Sequence, residues 1–382
     1  MPGPLRVCHL GKFYPPSRGG IETHVHTLLH AQVRQGLAPR LICMRHDVGP
    51  TVHEHDGPIP ITRVGRRGTV AKLDYCPGLV TLLEGVEADL FHLHVPNPTM
   101  ILGLLMAGRK LPIVVTYHSD HVKQWIRGLL FRPLERRFFN KVGAIAPTSP
   151  AYLEGSSLLA EYRSRVHPVP LGLDLSPYLQ PSEQAQQRAR EIQAKYPGPI
   201  WLALGRLVYY KGLHVAIAAL QQTPGTLLII GDGPERERLK EQAKSAGVGE
   251  RVYFLGSVPD AEIAPHYLAA TAFWFPSNAR SEAFGLVQVE AMASGCPVIN
   301  ADIPHSGVPW VCRHEESGLT VPIEDPAALA AAAKRLLEEP GLRERLAAGG
   351  RTRAQADFDQ DVMAARILEI YQSVLGRSKS PS

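Results

Sequence analysis

The residues with the most chemical content lie in one stretch, Ser281 to Ile299, where Glu282 and Glu290 flank Ala283, Phe284, Gly285 and Leu286. Glu290 sits between Val289 and Ala291 on an expected helix over 284–294. A carboxylate on an apolar helix needs a partner, because unpaired burial is costly. Glu282 comes just before that helix, where the free N–H groups of residues 284–286 would point at an anion. One short element therefore offers two carboxylates for ligand hydroxyls and a backbone nest for a phosphate. The plainer alternative makes Glu282 a helix cap and leaves Glu290 unexplained.

Four other places carry chemistry. Gly205-Arg206 ends an apolar run, and Tyr210-Lys211-Gly212 opens a helix five residues on. Arg206 supplies a fork and Lys211 a point charge, a pair able to clamp a diphosphate unless they are simply surface cations. Gly231-Asp232-Gly233-Pro234 is a strand–turn–helix loop whose glycines allow close ligand approach. Gly19-Gly20 opens a helix after the first strand. It departs from the GxGxxG dinucleotide fingerprint and reads either as an anion site at a helix start or as a flexible loop. His118 ends the apolar run that begins at Ile113, in a position to face a cleft, although a lone histidine is more often structural. His24, His26, His92 and His94 have metal-like spacing, but the sequence places no carboxylate or cysteine beside them, and they read as structural.

Two series of short apolar runs must position these residues. The first is 5–10, 40–44, 90–95, 113–118 and 144–148; the second is 200–204, 226–230, 252–255, 272–275 and 297–300. Helical stretches alternate with them, over 21–35 in the first series and over 212–222 and 234–246 in the second. This is the pattern of doubly wound parallel sheets, whose ligands bind beyond the carboxyl ends of the strands. The fold class is α/β, with two Rossmann-like domains in tandem facing a cleft. A linker is expected over 168–199. The amphipathic stretch 360–375 fits either half.

The 382 residues carry a net charge of +5, unevenly: 20 Lys and Arg against 12 Asp and Glu over residues 1–170, and 21 against 24 over 171–382. The basic first half suits an anionic partner surface. Five scattered cysteines read as reduced, buried thiols. With no apolar run of membrane-spanning length and no secretory pattern at the start, the sequence implies a cytoplasmic protein.

Taken together, Gly19-Gly20-x-Glu22, Gly205-Arg206 with Lys211-Gly212, Gly231-Asp232-Gly233-Pro234, and Glu282-Ala283-Phe284-Gly285 with Glu290 resemble family 4 of the retaining glycosyltransferases, of GT-B fold. The likeness runs through nearly the whole chain and includes Ala291-Met292-Ala293-x-Gly295-x-Pro297-Val298. It implies an acceptor-binding domain over 1–172, a donor-binding domain over 173–359, and a last helix over 360–376 crossing back to the first domain. It implies that Arg206 and Lys211 bind the donor diphosphate and neutralise the leaving group. Glu290 would bind ribose hydroxyls and Glu282 the donor sugar. The N–H groups near Phe284, Gly285 and Leu286, beside Ala283, and those at Gly19-Gly20 would hold phosphate or sugar. The base would lie near Gly256–Val258. His118 would contact the transferred sugar near its anomeric carbon. The nucleotide-sugar is a substrate, so the resemblance implies no cofactor. No metal is expected either, since no Asp-x-Asp triplet of the kind that holds a divalent ion for a diphosphate is read here.

Ser306-Gly307-Val308-Pro309-Trp310-Val311 further resembles enzymes that build bacterial surface polysaccharides on lipid carriers. That implies GDP-mannose first and a UDP-hexose second, with a glycan or lipid-linked acceptor. Residues 123–141 hold six cations, one anion and several bulky apolar side chains. They read as a peripheral membrane contact or as a domain helix with a basic face. A sugar-nucleotide epimerase or a phosphorylase remains the alternative enzyme class. Nucleic-acid binding lacks any recognition motif.

Overall fold

The structure, a computed structural model, describes residues 3–17, 19–70, 73–119 and 125–376. The chain divides into two compact units, residues 1–172 with 360–382, and residues 173–359.

The first unit is built on seven strands: β1 (Arg6–Leu10), β2 (Ala38–Met44), β3 (Val52–Asp56), β4 (Ile59–Val64) and, after a small antiparallel hairpin of β5 (Gly68–Val70) and β6 (Leu73–Tyr75), β7 (Leu90–Val95), β8 (Ile113–Tyr117) and β9 (Ala144–Pro147). Their order is β3-β4-β2-β1-β7-β8-β9, all parallel except the edge pair β3–β4. The second unit carries β10 (Ile200–Leu204), β11 (Thr226–Ile230), β12 (Val252–Gly256), β13 (Ala272–Phe275), β14 (Val298–Asp302) and β15 (Gly318–Pro322). Their order is β12-β11-β10-β13-β14-β15, parallel throughout. In both sheets the chain turns outward in opposite directions from its first strand. The loops after β1 and β7, and after β10 and β13, therefore flank the switch point where such sheets bind ligands.

The central strands are buried on both faces because helices cover both, which is why short, largely apolar runs betray them. Val7, Leu90 and Val114 pack against Leu28 and Ala31 of the helix Gly20–Arg34 and against Met363, Ile367 and Tyr371 of the helix Gln360–Val374. In the second unit Trp201 and Trp274 are fully buried and stack at 5.0 Å. Such aromatic pairs add about 0.5–1.5 kcal/mol beyond their burial.

Two expectations need correction. The polar stretch read as a linker holds a helix, Glu183–Lys195, capped by Ser182 and packed through buried Ala189 and Ile192. It is fastened to the helix Asp260–Ala269 by an Arg188–Glu262 ion pair at 2.9 Å. Two buried residues among so many polar ones left too narrow an apolar stripe to read. The strands β3, β4 and β15 were also missed. β3, Val-His-Glu-His-Asp, is a partly exposed edge strand, and β15 starts at a glycine and ends at a proline. The five cysteines are free thiols, four buried and Cys76 partly so.

The carboxyl ends of the second sheet are held by backbone-to-backbone approach. Gly212 (φ 66°) faces the Pro276 carbonyl just after β13, and Gly231 (φ 125°) faces the Gly205 carbonyl just after β10, with no room for a Cβ in either place. Gly212→Ala is expected to lower the unfolding free energy by about 3 kcal/mol in urea titration, from positive φ plus overpacking. Gly247→Ala, at φ 71° but in open space, should cost about 1 kcal/mol. Equal costs at the two positions would show that the close approach contributes nothing.

Candidate active site

In the second unit the structure gathers most of the residues singled out in the sequence. Lys211 Nζ lies 2.5 Å from Glu282 Oε2, with both side chains largely buried. The ammonium also stands 5.2 Å from the Phe275 ring centroid. Arg206, six residues upstream of Gly212, is exposed, and its guanidinium makes no hydrogen bond or ion pair among the described residues. The helix starts at Leu286 rather than Phe284, with Gly285 (φ 76°) as its cap. The backbone N–H groups of Phe284, Gly285 and Leu286 donate to no group among the described residues, so the loop presents donors toward an anion.

That loop is braced by contacts the sequence did not show, two of them from the Ser306–Val311 stretch. Ser306 donates to the Glu282 carbonyl at 2.5 Å, and the Gly307 N–H to the Ala283 carbonyl at 2.9 Å. Gln288, fully buried, donates to the Phe284 carbonyl at 2.6 Å and accepts from Asn300 at 3.2 Å. A glutamine on an apolar helix is the same kind of mark as Glu290 and could have been read the same way.

Glu290 has the partner it needed. The Tyr267 hydroxyl lies 3.1 Å from Glu290 Oε2 and 2.9 Å from the Val287 carbonyl. Burial pushes the Glu290 carboxyl up to about 7; the tyrosine works against the shift and nearby Asp260 adds to it. Near neutral pH this carboxyl changes charge, which is where a ligand-binding or proton-handling group is useful. Gly256 ends β12, and its carbonyl accepts from Gly231 N–H at 2.8 Å, so the Gly256–Val258 turn sits beside the Gly231–Pro234 loop.

In the first unit His118 follows β8, is buried, and donates its backbone N–H to the Val95 carbonyl at 3.0 Å. It is not a lone histidine. In-register pairing sets His9 of β1 beside His92 of β7, and His94 lies two residues further along the same face. A hydrogen-bonded row runs Thr116, His92, Tyr371, Gln32, His9, His94 and His118, with contacts of 2.7, 2.5, 3.0, 2.8, 3.1 and 3.4 Å. His24 stands over His118 and His94, ring centroids 4.9 and 5.4 Å away, and neither of its ring nitrogens has a partner among the described residues. Burial lowers all five imidazoles, His9 to about 4, His118 to about 3, and the others well below their ordinary value. His9, fully buried, was missed because one histidine in a strand carries no periodic mark.

At Gly19-Gly20 the helix does begin, at Gly20, but the Glu22 side chain folds back over Gly19. Two readings change. His26 has a carboxylate beside it after all, Asp56, brought from β3. Asp-x-Asp spacing does occur, at Asp357-Phe358-Asp359 and Asp359-Gln360-Asp361, yet Asp357 pairs with Arg353 and Asp361 with Arg34, at a helix junction rather than a strand end. Of the basic segment, Lys123 and Gln124 lie outside the described residues. The helix Trp125–Phe139 runs through Pro133 undivided, Phe138 and Phe139 are core residues, and Arg136 is held bidentately by Glu161. No described helix is long and apolar enough to cross a membrane.

Residues 185–353 match the family described as Glycosyl transferases group 1, and residues 19–172 match the Glycosyl transferase 4-like domain. The chain is 33% identical to the D-rhamnosyltransferase WbpZ of Pseudomonas aeruginosa, over 93% of this chain and 92% of that one. It belongs to the group 1 glycosyltransferases. It is also 28% identical to the O-antigen chain mannosyltransferase C of Escherichia coli, over 98% and 100% of the two chains. With the phosphatidyl-myo-inositol mannosyltransferase of Mycobacterium leprae it shares 32%, over 93% of each. In three dimensions it is similar to sucrose-phosphate synthase of Thermosynechococcus elongatus (TM-score 0.78, 24% identity, 98% and 100% of the chains). It is equally similar to Anabaena HepE in complex with UDP (TM-score 0.78, 20%, 97% and 100%). This glycosyltransferase therefore has the GT-B fold expected from its motifs.

The five buried imidazoles predict acid lability. Their pKa values in the folded protein lie below the unfolded value of about 6.5, so the stability is fully present above pH 6.5 and is lost as pH falls below it. A histidine kept neutral at pH 5 costs about 2 kcal/mol, and five together cost up to roughly 10, comparable to a whole domain's stability. His24→Leu removes a ring with no hydrogen bond among the described residues. It should leave stability at pH 7.5 nearly unchanged and make the fall between pH 6.5 and 5 shallower in urea titrations. An unchanged slope would show that the cluster does not govern acid unfolding.

Proposed function

We propose that this glycosyltransferase moves a mannosyl group from GDP-mannose, with a UDP-hexose as second donor, to a glycan or lipid-linked acceptor, retaining configuration and using no metal. The reading is carried by residues of the second unit: the Arg206 guanidinium and three N–H groups at Phe284–Leu286, without partners among the described residues, and the Lys211–Glu282 pair at 2.5 Å. Such an array matches a diphosphate leaving group, whose negative charge grows as the sugar departs. Glu290 would take the ribose hydroxyls and the Gly256–Val258 turn the base. Lys211 would leave Glu282 for the diphosphate, freeing that carboxylate for the sugar's hydroxyls. His118, neutral, would accept a hydrogen bond from the sugar or donate one to it. In the transfer step the anomeric carbon–oxygen bond to the diphosphate breaks as the acceptor oxygen adds on the same face, and the acceptor's proton passes to the departing phosphate oxygen.

Support for the sugar comes from relatives named as mannosyltransferases. The D-rhamnosyltransferase relative favours a second reading, since D-rhamnose is 6-deoxymannose and differs from mannose by one hydroxyl. Cytoplasmic placement, with a peripheral membrane contact through residues 123–141 to reach a lipid-linked acceptor, belongs to the same proposal.

The first test is a thermal-shift panel of GDP, UDP, ADP and their sugar conjugates in EDTA. Ligand at a hundred times its dissociation constant adds about 2.7 kcal/mol. A shift with GDP and GDP-mannose is expected; a shift only after a divalent ion is added, or with none of the panel, overturns the donor reading. Conversion of the donor sugar without acceptor would favour an epimerase, and a trapped sugar–enzyme adduct would remove the same-face mechanism.

Two variants probe the site. Because the Glu290 carboxyl titrates near 7, GDP affinity should weaken as pH falls through that value, by up to about tenfold per unit. Glu290→Gln should flatten the profile. Glu282→Gln releases Lys211, so free GDP should bind more tightly while sugar transfer slows; weaker GDP binding would rule out the exchange of partners.

A further inference from the structure

His26 and His30 stand four residues apart on the helix Gly20–Arg34, so their imidazoles leave the same face one turn apart. β3 ends at Asp56, and the β3–β4 hairpin lays that end against them. Asp56 Oδ2 lies 3.0 Å from His30 Nε2 and 3.5 Å from His26 Nε2, and one ligand atom from each residue falls within 4.8 Å of the others. A tetrahedral zinc ion with bonds of about 2.0–2.1 Å sets its ligand atoms roughly 3.3 Å apart. The two measured separations bracket that edge. The two rings, 4.4 Å apart and inclined at 43°, converge on the carboxylate.

The surroundings suit a metal ion. The Tyr14 hydroxyl, from the loop after β1, donates at 2.7 Å to Asp56 Oδ2, the oxygen that also faces the two imidazoles, and so holds the carboxylate in place. The three ligand side chains are between 32% and 44% exposed, so an ion can enter and keep a water in its fourth position. The buried histidine cluster is a poorer host: it contains no carboxylate, and His9 and His94 spend ring nitrogens on each other.

We propose that His26, His30 and Asp56 form a site for a divalent ion of the zinc class that ties the helix Gly20–Arg34 to the β3–β4 hairpin. Two imidazoles and one carboxylate favour zinc and its transition-metal neighbours over magnesium or calcium, which prefer all-oxygen sites. The site uses none of the residues assigned to the donor, so it is compatible with transfer in EDTA and does not rest on the donor reading.

The test uses the full chain, stripped with EDTA and exchanged into metal-free buffer. Titration with zinc chloride, followed by calorimetry, should show one saturable equivalent and a raised Tm, with millimolar magnesium failing to compete. Cobalt(II) should give the visible absorption of a four-coordinate N/O site without a thiolate charge-transfer band. His26→Gln with His30→Gln should abolish both readings. Tyr14→Phe should weaken zinc binding about tenfold. His53→Gln, on the neighbouring part of β3, should change nothing. If wild-type protein shows no saturable zinc binding, or an octahedral cobalt spectrum, the proposal is overturned whatever the variants do. Unchanged stoichiometry in the double variant overturns it as well.

Discussion

Backbone crowding at the carboxyl ends of the second sheet is the constraint on which the candidate site depends. Gly212 meets the Pro276 carbonyl and Gly231 meets that of Gly205, so the loops after β10, β11 and β13 touch without side chains between them. Only that approach lets Lys211, from the loop after β10, reach Glu282, from the loop after β13. A parallel sheet leaves these ends open, because each chain crossing returns along a helix. The openness is what a ligand uses; the glycines set how closely the walls stand.

Buried polar groups do the rest. Glu290 is kept near its charge transition by burial, with one tyrosine as counterweight. Gln288 and Asn300 hold the Phe284 loop from below. In the first unit four imidazoles at the strands, with His24 of the helix Gly20–Arg34 over two of them, stay neutral because burial opposes their charge. A neutral histidine can both donate and accept, so the row from Thr116 to His118 satisfies its members without any carboxylate. Its direction is set by the Gln32 amide, which bridges His9 and Tyr371.

Much of this was legible in the sequence. Ten strands were readable as apolar runs, since strands buried on both faces are apolar throughout. The five it missed are β3 and β15, which are sheet edges, β4, which holds a proline and two polar residues, and the three-residue strands β5 and β6, too short to show a pattern. Glu290 and Glu282 stood out because a carboxylate within an apolar helix, or at its start, demands an explanation. Gln288 obeyed the same logic and went unread because an amide carries no charge to draw notice. The polar helix Glu183–Lys195 looked like a linker because only Ala189 and Ile192 are buried.

What the sequence determined by itself is local: which segments are strand or helix, which loops carry glycine for close approach, and which charged residues stand at strand ends. These follow from short-range sterics and from the periodicity of burial. Which distant residues meet was decided by tertiary structure alone. His9 joins His92 through strand register, Asp56 reaches His26 and His30 through a hairpin, and Lys211 pairs with Glu282 across two loops. No spacing along the chain encodes such pairings. They arise when separate strands take their places in one sheet, and the order of those strands is fixed by the packing of the whole unit.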